Sequence, residues 1–171
     1  VVIPDSVTTL GTGTELNDGG VFQFCTSLTS VTLPNNSNFT TLKPTTFFFC
    51  SALESIVIPD SVTSIGDAAF AFCGALQYVT LGSGVTSIGM SAFNSCSALT
   101  TLTFNSNIVS TNFMNNHFHD SINSLQTLVL GGSVATVGGA GDGENTGAFA
   151  SCANLESVTI GENIATINPN A

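Results

Sequence analysis

The chain is expected to fold as a mainly β repeat solenoid, and three observations carry that expectation. Cys50, Cys73 and Cys96 lie 23 residues apart, and a fixed period of that size marks a stack of like units. An apolar frame, Cys-x-x-Leu-x-x-Val-x-Leu, travels with them. It reads Cys25, Leu28, Val31, Leu33, then Cys50, Leu53, Ile56, Ile58, then Cys73, Leu76, Val79, Leu81, then Cys96, Leu99, Leu102, Phe104. Each copy ends in period-2 spacing of apolar residues with a β-branched residue between them, Thr32, Val57, Thr80 or Thr103, the pattern of a short strand with one side inward.

In chain order, residues 1–10 (VVIPDSVTTL) match residues 56–65 (IVIPDSVTSI). The expectation is one solenoid over residues 1–171, truncated at both ends, with a partial repeat at 1–10. Complete frames start at Cys25, Cys50, Cys73, Cys96, Ile122 and Cys152. The fifth copy is degenerate, with Ile122 in the Cys position ahead of Leu125, Leu128 and Leu130. Before the sixth lies a Gly-rich insert, residues 138–147, read as a loop.

Within a repeat, Pro4, Pro34 and Pro59 close the first strand. Val62 and Ile65 return to the core as a short second strand, and Gly66 or Gly89 turns the chain. The stretch from Asp67 to Phe70 predicts a single helical turn, capped by Asp67 and with Phe70 inward. Phe22, Phe47, Phe93 and Phe149 hold the same place three residues before their Cys, and His119 takes it in the degenerate copy. A lone repeat of this size cannot bury enough to fold; stacked neighbours must supply the rest.

Composition narrows the function classes. A hydrophobic fraction of 43% suffices for a core, whereas only 7% of residues are charged, leaving a surface of Thr, Ser, Asn and Gly. Lys43 is the single basic residue and the net charge is −10, which excludes a phosphate-neutralising nucleic-acid face and attraction to anionic lipid. No apolar run is long enough for membrane insertion. The five Cys share one register position and read as free, buried core residues rather than a disulfide framework.

The consensus [IV]-P-[DN]-S-V-T-S-I-G-x-x-A-F-x-x-C-x-x-L-x-x-[VI]-x-[LI], nearly complete over residues 58–81 and again to Phe104, resembles the BspA-like class of leucine-rich repeats. The resemblance covers essentially the whole chain. It implies a curved leucine-rich-repeat stack with a parallel strand sheet on the concave side. It also implies an extracellular or cell-surface, non-enzymatic protein serving in adhesion or protein binding.

On that concave face the outward residues would be Thr29, Thr32, Glu54, Val57, Gln77, Tyr78, Thr80, Thr101, Thr103, Gln126, Glu156 and Thr159, a flat and nearly uncharged surface for a protein or glycan ligand. Tyr78 is its aromatic anchor. Two readings of the Thr rows stay open, a ligand face or simple β-propensity with hydrogen bonding along the ladder. Asn35 and Asn38 begin N-x-S/T triplets, as glycosylation acceptors in a secreted eukaryotic chain. His117 and His119 have a metal-like His-x-His spacing but lack a third ligand, and Asp142, Glu144 and Asn145 read as a solvated acidic loop, so no metal is expected. Nor is a nucleophile paired with a base at any motif spacing, so no catalytic residue and no cofactor are expected. The remaining mode is head-to-tail self-association into a fibre or surface layer.

Overall fold

The computed structural model describes residues 1–11, 19–106, 117–131, 136–137, 149, 152–162, 164 and 166–167. Short parallel strands stack in two columns along the chain. One column is a five-stranded sheet of β2 (Ser55–Val57), β4 (Tyr78–Leu81), β6 (Thr101–Phe104), β7 (Thr127–Leu130) and β9 (Ser157–Ile160). The other holds β1 (Thr41–Leu42), β3 (Ser64–Ile65) and β5 (Ser87–Ile88) in a three-stranded sheet. Separately, β8 (Thr136–Val137) pairs with β10 (Thr166–Ile167). Every pairing is parallel and joins equivalent positions of successive repeats, so Tyr78 sits opposite both Ser55 and Thr101. Isolated bridges from Ser30 to Ser55 and from Val2 to Thr32 extend the larger face toward the N-terminus.

The frame residues of the central copies form the core as the periodicity predicts, whereas Cys25, Val158 and Ile160 of the first and last frames are exposed. Leu53, Ile56, Ile58, Val62, Ile65, Leu76, Val79 and Leu81 are all buried. At their centre, Phe22, Phe47, Phe70, Phe93 and Phe118 stack face to face, with centroids 5.2, 5.2, 5.0 and 4.8 Å apart and planes within 9°. A column of identical side chains at identical register is what an in-line repeat delivers without further design.

The segment read as a helical turn is instead a run of turns in which alternate backbone N–H groups bond across the stack. Thr45, Phe47 and Phe49 donate to the carbonyls of Asp67, Ala69 and Ala71 at 3.0, 2.8 and 2.8 Å, while the residues between them donate three positions back. Left-handed residues recur at the same places: Thr45 (φ 53°) and Phe49 (59°), Ala68 (51°) and Phe72 (62°), Ser91 (56°) and Ser95 (57°). They tip alternate N–H groups out of the helical path toward the next repeat, which satisfies them there. Asp67 accordingly does not cap its own turn. Its Oδ1 accepts the Met90 N–H of the following repeat at 2.7 Å. The only 3₁₀ helix among the described residues, His119–Ser124, lies in the degenerate copy.

That copy also corrects two register assignments. Phe118, not His119, enters the ring stack, while His119 is exposed. Ile122 keeps the backbone role of the Cys position, its carbonyl accepting from Leu125 N–H as Cys73 accepts from Leu76. The side chain in the Cys ladder, however, is Ser121. Cys50, Cys73 and Cys96 direct their thiols to the carbonyls of Phe22, Phe47 and Phe70 (3.1, 3.2 and 3.3 Å), and Ser121 Oγ donates to the Phe93 carbonyl at 2.7 Å. One extra residue between Ser121 and Leu125 splits the two roles.

All five cysteines are free, and Cys25 departs from the expected burial by being exposed. Among the described residues no turn lies beyond it to cover the thiol. Burial pushes Cys50 and Cys152 up to about 11 and Cys96 up to about 12, and Cys73 higher still, with neighbouring thiols adding to the shift at Cys50 and Cys73. Only the neutral thiol is compatible with these sites. A raised folded-state pKa gives stability that is complete below the unfolded thiol value and is lost as pH rises through the folded one. Stability is therefore expected to hold up to about pH 8.5 and to fall progressively toward pH 12. Under native conditions at neutral pH, a thiol-reactive aromatic disulfide should label Cys25 rapidly and the other four only on unfolding. Rapid labelling of Cys73 in the folded chain would contradict this reading.

Candidate ligand-binding face

Alternation along each strand of the five-stranded sheet sends one set of side chains into the core and the other outward. Three outward rows result, each running across the repeats. Hydrogen bonds from Glu54, Gln77, Thr100, Gln126 and Glu156 N–H to the preceding repeat align Thr29, Glu54, Gln77, Thr100, Gln126 and Glu156. The ladder register places Ser55, Tyr78, Thr101, Thr127 and Ser157 in the second row. Val57, Thr80, Thr103, Val129 and Thr159 form the third, with Thr32 at the equivalent position of the earlier repeat. All twelve residues singled out in the sequence thus lie on one face. Tyr78 and Val57 are well exposed, whereas Thr80, Thr101 and Thr103 are half-buried between neighbouring strands.

Several Thr hydroxyls bond along the ladder. Thr100 Oγ1 donates to the Gln77 carbonyl at 3.4 Å, and on the other column Thr63 and Thr86 donate to the carbonyls of Thr40 and Thr63 at 3.2 and 3.1 Å. These hydroxyls are occupied in knitting repeat to repeat.

Near one end of the face lies an open depression of about 500 Å³. Val31, Leu33, Val57 and Ile58 supply apolar walls, Thr32, Ser55 and Thr80 contribute hydroxyls, and Asn35, Asp60 and Asn105 stand among the lining residues. Gly82 also lines it, where an added Cβ would meet the Ile58 carbonyl oxygen and the Pro59 backbone at 2.6 Å. Asp60 is partly committed, since its Oδ1 accepts the Ser83 N–H at 2.7 Å. The sequence reading missed Asn105 and Asp60. Their signal was available as a polar residue just after the last frame position, two places beyond Ile58 for Asp60 and one beyond Phe104 for Asn105.

Asn35 and Asn38 are both exposed. Between them Asn36 is tied down, its Nδ2 donating to the carbonyls of Asp5 and Val7 and its Oδ1 accepting the Asn38 and Phe39 N–H groups. The two histidines face different partners: His117 Nδ1 meets the Gly89 carbonyl at 3.0 Å, and His119 Nδ1 meets Asp120 Oδ1 at 2.7 Å. Burial pushes the His117 imidazole below its ordinary value, against the pull of the Gly89 carbonyl and Asp67. Asp120 Oδ2 in turn accepts from Ser95 Oγ at 3.2 Å. The carboxylate therefore sits between hydroxyl and imidazole, an order that gives the hydroxyl no imidazole base. Among the described residues no group of three or more His, Cys, Asp or Glu gathers as for a metal. Asp142, Glu144 and Asn145 lie outside the described residues. No helix among those residues is long and apolar enough to cross a membrane.

A search of curated protein sequences finds no match. The fold is similar to a crystal structure of a leucine-rich repeat protein from Bacteroides ovatus, at 20% identity and a TM-score of 0.54, covering 98% of this chain and 44% of that one. It is also similar to one from Eubacterium ventriosum, at 23% identity and a TM-score of 0.57, covering 94% and 48%. The chain spans about half the length of these structures. Six copies of the family model described as "BspA type Leucine rich repeat region" match residues 15–140 and 144–171. With that match, the parallel ladders and the ring stack agreeing on one repeat, the chain belongs to the BspA-type leucine-rich repeat family.

Proposed function

We propose that the chain is a single solenoid working as a non-enzymatic protein-binding scaffold at the cell surface or outside the cell. Its ligand, an extended segment of a protein or a glycan, lies on the five-stranded face. The observation that carries this reading is Val57, 63% exposed in the wall of the 500 Å³ depression. An exposed apolar side chain ringed by Thr, Ser and Asn has the character of a small binding site, with an apolar centre and polar groups that fix orientation. A net charge of −10 with one Lys disfavours anionic ligands. Asn35 and Asn38 are the proposed glycan acceptors.

Arrays of secreted proteins and of glycans, probed with the wild-type chain and with V57K/T80K, test the proposal. Val57 and Thr80 pair across β2 and β4, and like charges directly opposite destabilise by about 0.2–1 kcal/mol, so circular dichroism verifies that the variant is folded before binding is compared. Binding to an array component should weaken about tenfold or more in the variant; undiminished binding would move the ligand elsewhere. Labelling of intact cells by an antibody to the chain checks its location.

A further inference from the structure

Outside the sheet face, the turn segments carry a second cluster of aromatic side chains that the core does not use. Phe24, Phe49 and Phe72 precede Cys25, Cys50 and Cys73 and are 60%, 40% and 42% exposed. With the half-buried Phe48 they form one contiguous group. Phe24 to Phe49 and Phe49 to Phe72 are 5.8 and 6.0 Å between centroids, and Phe48 meets Phe24 and Phe72 edge-on at 5.6 and 5.4 Å.

The fold does not require these rings. All three residues are left-handed, with φ of 61°, 59° and 62°, a conformation unfavourable for a bulky side chain. In the next repeat Ser95 holds the same place with φ 57°. The backbone geometry is therefore available without an aromatic residue, and the three rings add exposed apolar surface that folding alone would disfavour.

We propose that this patch docks a short, uncharged apolar segment of a different protein. Two features select that occupant. No charged residue occurs in residues 19–26, 44–53 or 68–76, although the chain carries 11 acidic residues, so the patch offers nothing to a charged peptide. The exposed rings present on the order of 300 Å², well short of the roughly 800 Å² per partner of a stable protein interface. A second copy would also bring a further charge of −10 against the first. The tilted and edge-on rings present both faces and edges, which suits an inserted Phe, Leu or Met side chain.

The test selects random linear peptides displayed on phage against the immobilised intact chain, with F24S/F49S/F72S as counter-selection, then titrates a selected peptide by fluorescence anisotropy. The expected peptides are rich in Phe, Leu or Met and free of charge. They should bind the triple variant about tenfold or more weakly and V57K/T80K as tightly as wild type, which separates this surface from the sheet face. Ser95 shows that the backbone accepts serine at this position, but the rings also pack on one another and on Phe48, so the triple variant should melt lower than wild type while remaining folded, and binding is compared well below its melting temperature; if it fails to fold, Phe24→Lys provides the same comparison. Selected peptides that are charged, or that bind wild type and variant equally, overturn the proposal. So does a wild-type chain that dimerises by light scattering and reverts to 17.4 kDa in the variant, since the occupant is then a second copy.

Discussion

Phe70→Ala is expected to lower the unfolding free energy by about 3–5 kcal/mol. Phe70 is fully buried and stacked on both sides, on Phe47 at 5.2 Å and on Phe93 at 5.0 Å. Removing the ring opens a cavity that the rigid turns on either side, bonded through Phe70 N–H to the Ala92 carbonyl and Phe47 N–H to the Ala69 carbonyl, cannot collapse to fill. It also deletes two aromatic contacts, each contributing about 0.5–1.5 kcal/mol beyond area burial. Repeats contact only their neighbours. The change should therefore split the denaturation into two transitions, one for each side of the substituted repeat, as well as shift it. Urea unfolding followed by circular dichroism reads both effects. A loss under about 1 kcal/mol would mean that the ring stack is a consequence of repetition and not a source of stability.

Ser121→Ala should lower stability by about 2–4 kcal/mol, although only one oxygen is removed. That hydroxyl is buried and makes two bonds, donating to the Phe93 carbonyl and accepting the Cys96 N–H, both at 2.7 Å. Alanine leaves both backbone groups buried and unpaired. Ser121→Cys should lose distinctly less, because a thiol at this ladder position donates to the same kind of carbonyl in three other repeats. Its weaker acceptor strength accounts for the remaining deficit at Cys96 N–H. Equal losses for the two variants in the same urea experiment would show that the bond to Phe93 contributes nothing.

Ser121 also marks where reading the chain in one dimension stops working. The degenerate copy offers two neighbouring candidates for each ladder position, Phe118 or His119 and Ser121 or Ile122. Aligning the frame backward from Leu125 selects the second of each pair, as it must when spacing is the only guide. The backbone follows that alignment at Ile122, yet the side chains follow the stack, because a ring beneath Phe93 and a donor beneath its carbonyl are demands of the neighbouring repeat. The face is legible for the opposite reason. Tyr78 opens a strand, and Glu54 and Gln77 immediately precede strands, whose inward residues are unambiguous, and parallel in-register pairing converts equal frame positions into neighbours.

By itself the sequence determined the period, the core residues of the regular copies, the two strand positions per repeat and the sparsely charged character of the outward face, all of which depend on spacing and composition. Tertiary structure alone decided what happens in the turns. There Thr45, Phe49 and their equivalents adopt left-handed angles so that alternate N–H groups reach the next repeat, and Phe24, Phe49 and Phe72 are carried outward into one aromatic group. Those angles are unfavourable locally and are held by hydrogen bonds between repeats. A propensity read within one repeat contains no term for them.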